Sequence, residues 1–363
     1  MNIFKQKKSH YLCKGILKLD WTGIKIGTDD YNVLAISNKL ITCYELSKSK
    51  SKSKSKSKSK SKSKSKSKSK SKSKSKSKSR YDVLRNLIGN EKAAYYLFDQ
   101  STMQTINTHP MITISREIRR NIERLCKKNK LLTDDELDIF FKKIIKDHGL
   151  KIKVENLIKF ASLHTSYSLG LNGSICHAIV SDDAGEFKKI TSNHQLCWIH
   201  EIRRYRTIRS FVGFSKDILD KFFEEVWDFY DLISGYWKNP SIGYRNKIIK
   251  RFKNIFETKW GYRPIDNNRI NTINRKEGLL YFLKNPNIPI ENNQCESDIK
   301  EKVIKRKIII KHRSEDGCRN ANFWPSLYAT LQKNNKSFLN FLRDRFNKTY
   351  CIPSLSSIIK ANC

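Results

Sequence analysis

Residues 15–46 read GILKLDWTGIKIGTDDYNVLAISNKLITCYEL, and this stretch decides the fold class. Apolar and polar residues alternate from Gly15 to Asp20, and the turn-forming residues 21–23 and 27–30 are each followed by a short run with strand character. Alternation with a period of two is typical of strands that bury one face. We therefore predict a meander of three or more short strands, the first of which ends at Asp20.

The rest of the chain has mainly helical periodicity, interrupted by one further strand. The apolar run Ile175–Ser181 predicts that strand, and Asp182 follows it directly. The helical segments are 81–148, 154–169, 195–285, 292–310 and 322–346. This order of elements predicts an α/β fold, with a mixed sheet and flanking helices interrupted by helical inserts.

A run of alternating Ser and Lys occupies residues 47–80 and ends in Arg80. It contains 16 Lys and one Arg but no apolar residue, so it has nothing to bury and its charges repel each other. We predict a disordered low-complexity insertion with loose affinity for phosphate groups.

The composition favours a polyanionic partner. The chain carries 73 Lys and Arg against 35 Asp and Glu, a net charge of +38, and +21 remains without the Ser-Lys run. Nucleic acid is the commonest partner of so basic a chain. A membrane surface is the alternative, but no amphipathic basic helix supports it. The sequence contains no apolar stretch of about 18 residues and no leader pattern, and its nine cysteines form no CxxC pair. We therefore expect a cytoplasmic protein that is not exported.

Deleting residues 47–79 should leave the midpoint of thermal unfolding nearly unchanged, because the entropy of closing a loop depends only logarithmically on its length. The deletion should also flatten the salt dependence of nonspecific DNA binding, since 16 Lys side chains leave with it. Calorimetry and DNA-binding titrations at several salt concentrations measure the two effects. Loss of the folded state on deletion would show that the run is structural.

Three acids occupy positions that can converge in such a fold. Asp20 ends the first strand, Asp182 follows the later strand, and Glu296 lies one turn into the helix 292–310. Acids placed in this way form the two-metal site of a ribonuclease-H-like core. Singly, each has a simpler explanation, because strand-terminal Asp residues form turns and a first-turn Glu balances a helix dipole. Either Asp182 or Asp183 can point into the site; we expect Asp182 there, and Asp183 to cap the following turn.

Several segments resemble bacterial transposases of the IS66 type, in the variant whose first strand reads Asp-Asp-Thr-Gly. They are Leu19–Gly23, Val180–Phe187, His194–Arg203, Ile288–Glu296, Arg313–Gly317, Ser326–Leu327 and Phe341–Arg345. Trp21 departs from the variant, which has a second acid there. The resemblance covers residues 15–46 and about 160–347, and it is poor between 82 and 150.

The resemblance implies a DDE-type DNA transposase, with Asp20, Asp182 and Glu296 as catalytic residues and as ligands of two Mg²⁺ or Mn²⁺ ions. Its partners would be DNA, both as element ends and as target, and further copies of the chain. It would act in the bacterial cytoplasm at the nucleoid, and no membrane would take part. Only 19 residues precede Asp20, whereas family members carry a long N-terminal region, so an N-terminally truncated copy is expected. The alternatives are an inactive or repurposed DNA-binding remnant, a nuclease on the same fold, and a general nucleic-acid binder that depends on the Ser-Lys run.

Two further groups of residues lie near the expected site. His194, Cys197 and His200 are spaced by three and have zinc-ligand chemistry, but no fourth ligand is evident, so a structural role on a helix is favoured over a zinc site. The residues expected to contact DNA phosphates are Arg203, Arg204, Lys300, Lys305, Arg306 and Lys307. A solvated helix face is the alternative for these basic residues.

The expected domain organisation has seven parts. They are the first strands of the ribonuclease-H-like core (1–46), the disordered Ser-Lys insertion (47–80), a helical insert (81–150), the core helix and the strand with the second Asp (151–200), a second helical insert (201–288), the core helix with Glu296 and C-terminal helices (289–347), and a tail (348–363).

Overall fold

The structure is a computed structural model that describes residues 15–48, 79–89, 93–110, 112–148, 151–173, 175–210, 213–309 and 311–362. The disorder expected for the Ser-Lys run concerns mainly residues 49–78, which lie outside the described residues. The two ends of the run are ordered, because Ser47 and Lys48 belong to a strand and Ser79 caps a helix that begins at Arg80. The insertion expected at 47–80 is therefore shorter at both ends.

A mixed five-stranded sheet forms the centre of the fold. The strands of the described residues are β1 (Ile16–Ile26), β2 (Asp29–Ser37), β3 (Thr42–Lys48), β4 (Tyr95–Phe98), β5 (Lys130–Thr133), β6 (Ala178–Ser181) and β7 (His194–Leu196). The sheet has the order β3-β2-β1-β6-β7, with antiparallel pairing among β1, β2 and β3 and parallel pairing of β1 with β6 and of β6 with β7. This architecture agrees with the expected α/β class and mixed sheet.

Strand β1 is longer than the sequence suggests. The turn expected at residues 21–23 is wrong, because Trp21, Thr22 and Gly23 continue the strand and pair with β2. Trp21 extends the buried row begun by Leu17 and Leu19, which explains why the chain does not turn there. The turn comes instead at Gly27, whose φ of 58° lies in the left-handed region that glycine tolerates. As a result, Asp20 lies in the middle of β1 and not at its end.

Helices surround the sheet. They are α1 (Arg80–Ile88), α2 (Gln100–Asn107), α3 (Arg116–Lys127), α4 (Asp134–His148), α5 (Ile152–Ser168), α6 (Trp198–Tyr205), α7 (Gly213–Ser234), α8 (Ile242–Phe252), α9 (Arg263–Asn274), α10 (Lys276–Leu279), α11 (Asn293–Ile309), α12 (Glu315–Lys333), α13 (Phe338–Phe346) and α14 (Leu355–Ala361). A π-helical turn, Lys253–Glu257, continues α8, and 3-10 turns lie at Tyr236–Lys238 and Tyr281–Leu283. Among the described residues, no helix is both long and apolar enough to cross a membrane.

One face of the sheet packs into the larger of two main cores. Leu17 and Leu19 of β1 meet α1, α5 and the segment 93–148 there. This segment is not purely helical as expected, because β4 and β5 form a small antiparallel sheet that buries Tyr96. The expected tail also joins this core, since α14 buries Leu355 and two isoleucines in it.

The segment 196–283 has a core of its own. Aromatic side chains dominate it, and Trp198 at the start of α6 contacts Phe229, Phe252 and Phe256. The indole N–H of Trp198 donates to the backbone oxygen of Leu279 at 2.8 Å, so the buried ring leaves no polar atom unsatisfied. A separate core explains how this long helical block can interrupt the α/β fold.

Helix α11 covers the opposite face of the sheet. Cys295 and Ile299 on α11 pack against Val33 and Ala35 of β2 and Tyr44 of β3. Because side chains alternate along a strand, the face that carries Ala35 also carries Asp20, its partner on β1. The sheet therefore presents Asp20 toward the helix that carries Glu296.

Candidate active site

The pairing of β1 with β6 brings the chain positions of Asp20 and Asp182 near each other. The two strands run parallel, and their last paired residues are Lys18 and Val180, each two positions before the acid. Asp20 lies within β1 and follows the α11 face, whereas Asp182 comes directly after the last residue of β6, Ser181.

The electrostatics of Asp20 reflect this neighbourhood. Burial raises the pKa of the Asp20 carboxyl to about 6, although the backbone N–H of Trp21, which donates to it at 2.7 Å, lowers the pKa. The negative charge of Asp182 raises the pKa further, the charge of His200 lowers it, and the negative charge of Glu296 raises it, so both acids are near enough to influence Asp20. A buried carboxylate with two acidic neighbours is a site that favours a cation.

Glu296 lies in the first turn of α11 and has two basic neighbours. Its Oε1 lies 3.1 Å from Nδ1 of His200, and its Oε2 accepts from Nη1 of Arg203 at 2.7 Å. The contact with His200 is the main reason why the pKa of Glu296 falls to about 2, with burial acting against it and Arg203 adding to the effect. The carboxylate is therefore charged at neutral pH.

The expected His-Cys-His motif is divided between elements, so its placement on one helix is wrong. His194 lies on β7, where its Nε2 is 2.8 Å from Oγ of Ser181 and burial lowers its pKa to about 4. Cys197 precedes α6, and His200 lies one turn into this helix. Contacts with Cys197 and then with Glu296 raise the pKa of His200 to about 10. The group that forms is Cys197, His200 and Glu296, whose potential ligand atoms all lie within 4.8 Å of one another.

Asn292 connects the elements of the site, and sequence reasoning assigned it no role. Its side-chain amide donates to the backbone oxygen of Leu19, next to Asp20, at 2.9 Å. Its backbone N–H lies 3.3 Å from Sγ of Cys197, and its carbonyl accepts from the N–H of Glu296 at 3.0 Å. An Asn before a helix is so common a cap that its residue type alone does not reveal this connection.

The two neighbouring aspartates separate as expected, but their roles in the turn are reversed. Asp182 accepts the N–H of Ala184 at 3.2 Å, so it caps the turn. Asp183 instead lies among cations, 2.6 Å from Lys188 and 3.4 Å from Arg275. The expectation that Asp183 caps the turn is wrong, because its carboxylate pairs with Lys188 and Arg275.

The residues expected to bind DNA differ in their surroundings. Lys300, Lys305 and Lys307 are exposed on α11. Arg203 is half exposed and bound to Glu296, and Arg204 contacts Glu201 at 3.3 Å and Asp183 at 3.6 Å. Arg306 donates to the backbone oxygen of Gly23 at 2.8 Å and so fastens α11 to β1. Three of the six residues thus have partners within the protein.

A comparison with known protein families matches part of the chain to a family of transposases. Residues 170–320 match a model for a family of transposases, and this span contains Asp182, α6 and Glu296. The family is described as the Transposase IS66 family, so the resemblance found in the sequence is confirmed for residues 170–320. Residues 34–141 also match a model described as Sex determination protein N terminal. That second span includes the whole Ser-Lys run, a composition that low-complexity segments share without a common fold.

A relative extends the match beyond the family model. The protein described as "Uncharacterized protein y4jO" of Sinorhizobium fredii is 33% identical over 200 residues, which are 53% of this chain and 62% of that protein. The chain thus spans about three fifths of the length of this curated relative. No solved structure matches the chain.

Proposed function

We propose that the protein is a DNA transposase of the DDE type, in which Asp20, Asp182 and Glu296 hold two Mg²⁺ or Mn²⁺ ions. The observation that carries the proposal is the β1–β6 register, which pairs Lys18 with Val180, two positions before Asp20 and Asp182, beside the face covered by the Glu296 helix. The sheet, with three antiparallel strands followed by parallel β6, supports a ribonuclease-H-like core. The family match over residues 170–320 supports the transposase reaction over other uses of this arrangement.

The residues fit a pair of hard divalent ions. Carboxylate oxygens are preferred ligands of Mg²⁺, which keeps water and substrate phosphate in its other positions. Ionised Asp20 is destabilised by burial and by its acidic neighbours, and two nearby positive charges would remove that cost. When bound, such ions would activate the attacking oxygen and neutralise the charge that develops on the phosphate.

The reaction would proceed in two steps. Water first breaks a phosphodiester bond at the element end and frees a 3′-hydroxyl, which then attacks a phosphodiester of the target and joins the two DNAs. Asp20 and Asp182 would hold their ions through the fixed sheet, and Glu296 would turn from Arg203 toward the second ion. Arg203, released from the carboxylate, and exposed Lys300, Lys305 and Lys307 would bind DNA phosphates, with Arg204 and Arg306 at the edges of that surface.

The transposition complex would contain further copies of the chain, since both element ends must meet one target. The substrate is DNA in the bacterial cytoplasm, at the nucleoid, and the net charge of +38 supports a polyanionic partner.

A second candidate function is an inactive or repurposed DNA-binding remnant, favoured by Trp21 in place of the second acid of the related first strand. A nuclease on the same fold is a third candidate. Wild-type protein should nick and join DNA with Mg²⁺ or Mn²⁺, whereas Ca²⁺ should support binding with little turnover because its looser coordination positions the attacking oxygen poorly. Binding without reaction in every metal would favour the remnant, and nicks without joined product would favour the nuclease.

Asp20→Asn should stabilise the protein in chelator while it removes the stabilisation given by Mg²⁺. The pKa of about 6 means that ionised Asp20 costs about 2–3 kcal/mol of folding free energy at neutral pH. Because the pKa of Asp20 is raised in the folded state, the wild type loses this folding free energy as pH rises from about 4 to above 6. The variant, which has no carboxyl group at this position, does not lose it. Thermal unfolding of both proteins across this pH range, with chelator and with Mg²⁺, measures the difference. Equal Mg²⁺ stabilisation of both proteins would exclude Asp20 as a ligand.

A further inference from the structure

We propose that Cys197, His200 and Glu296 bind a transition-metal ion of the zinc class at a position separate from the acidic pair. One potential ligand atom from each of Cys197, His200 and Glu296 lies within 4.8 Å of the other two. Thiolate, imidazole and carboxylate bind Zn²⁺ at about 2.0–2.3 Å, which places tetrahedral ligand atoms about 3.5 Å apart. His200 and Glu296 are already 3.1 Å apart, so a small movement of the side chains closes the site.

The backbone already fixes two of the three ligands. The N–H of Cys197 donates to Ser181 at the end of β6, at 2.9 Å. The N–H of Glu296 donates to Asn292, which is itself tied to β1. Cys197 and His200 are three residues apart and therefore lie on one face of the helix start. A ligand set anchored to the central sheet loses little conformational entropy when it binds an ion.

Two polar atoms of this group are buried without a well-aligned hydrogen bond in the described part of the chain. Nδ1 of His200 and Oε1 of Glu296 are shielded from solvent, and neither has a well-aligned hydrogen bond within the described residues. Each of the two atoms faces the other at 3.1 Å, and a metal ion bound between them would displace the proton of His200 and interact with both. The thiol of Cys197 faces the N–H of Asn292 at 3.3 Å, a contact that stabilises a thiolate. A water molecule would complete the tetrahedral set as the fourth ligand.

The ligand types select the ion. Sulfur and nitrogen ligands are poor for Mg²⁺ and suit Zn²⁺ or Co²⁺, so this site would not be filled by the ion of the acidic pair. His194, which the sequence places in the same motif, is occupied with Ser181 and does not take part. The consequence for catalysis rests on the proposed function: an ion held here keeps Glu296 away from Asp20 and Asp182, so zinc-class ions would inhibit the Mg²⁺-dependent reaction.

The test is a Co²⁺ titration of the full chain without DNA, followed in the near ultraviolet for the thiolate-to-cobalt charge-transfer band. We expect one equivalent of Co²⁺ to produce the band and Zn²⁺ to displace it. Cys197→Ser should remove the band, whereas Cys351→Ser should keep it, because Cys351 is an exposed thiol outside the group. Glu296→Gln should raise the dissociation constant about tenfold or more, as a lost or weakened ligand does.

Three results would overturn the site: no thiolate band in the wild type, a band that survives in Cys197→Ser, or an unchanged dissociation constant in Glu296→Gln. The Glu296 variant keeps the test decisive if Cys197→Ser does not fold, which circular dichroism would reveal. Because Co²⁺ binding is measured without DNA cleavage, a protein that binds Co²⁺ through Cys197 but never cuts DNA would refute the proposed function and leave this site standing.

Discussion

Glu296→Ala should abolish DNA nicking and joining and leave DNA affinity within about twofold of the wild-type value. The expected loss of rate is roughly 10²–10³-fold or more, the scale of removing one group that stabilises charge in a transition state. DNA affinity should remain because the carboxylate binds the metal, whereas basic residues contact the phosphates. Loss of the carboxylate also releases Arg203, which it holds at 2.7 Å, so any change in affinity should be an increase.

Glu301→Ala is the matched control, since Glu301 is an exposed acid on the same helix α11. It should retain wild-type rates of nicking and joining. The measurement is the amount of nicked and joined product from a supercoiled DNA substrate in Mg²⁺, together with DNA affinity in Ca²⁺. If Glu296→Ala is as active as Glu301→Ala, then Glu296 is not the third acid and the mechanism proposed for this chain fails.

Strands β1, β2, β3 and β6 of the sheet could be predicted from sequence because they carry their signal locally. Period-two alternation around Leu17 and Leu19 and the apolar run before Asp182 are properties of a few adjacent residues. The error at residues 21–23 has a physical cause, because Gly23 favours a turn but β2 supplies a pairing partner for it at Asn32. Tertiary pairing thus overrides local preference at the centre of β1.

The surroundings of the acids could not be predicted in the same way. Asn292 contacts Cys197 from 95 positions away and Leu19 from 273 positions away, and no local pattern encodes such contacts. The regular spacing of His194, Cys197 and His200 suggests a single helix. His194 instead lies on β7, a strand of three residues that is too short to show alternation in the sequence. Contacts between residues on separate elements depend on the fold, which no local sequence pattern encodes.

A buried ion-pair network connects the helical block to the strand that carries the second acid. Glu201 on α6 is 3% exposed and accepts from Thr272 at 2.5 Å and from Arg275 at 2.9 Å. Arg275 also reaches Asp183 at 3.4 Å, one residue beyond Asp182. Arg204 remains 3.3 Å from Glu201, so removing Arg275 leaves the buried charge of Glu201 only partly compensated, which should cost about 3 kcal/mol, the lower end of the range for breaking a buried ion pair.

Arg275→Met should therefore lower the free energy of unfolding by about 3 kcal/mol, and the unfolding midpoint by roughly 4–5 °C for a chain of this size. The neighbouring Lys276→Met is the matched control, because its pair with Glu257 is about one third exposed on both sides and should contribute less than about 1 kcal/mol. Adding Glu201→Gln to Arg275→Met should recover part of the loss, since the partly compensated charge is then removed. Denaturant titrations of the wild type, Glu201→Gln, Arg275→Met and the double variant give the coupling energy. A loss in Arg275→Met no larger than that in Lys276→Met would mean that Arg275 does not compensate Glu201.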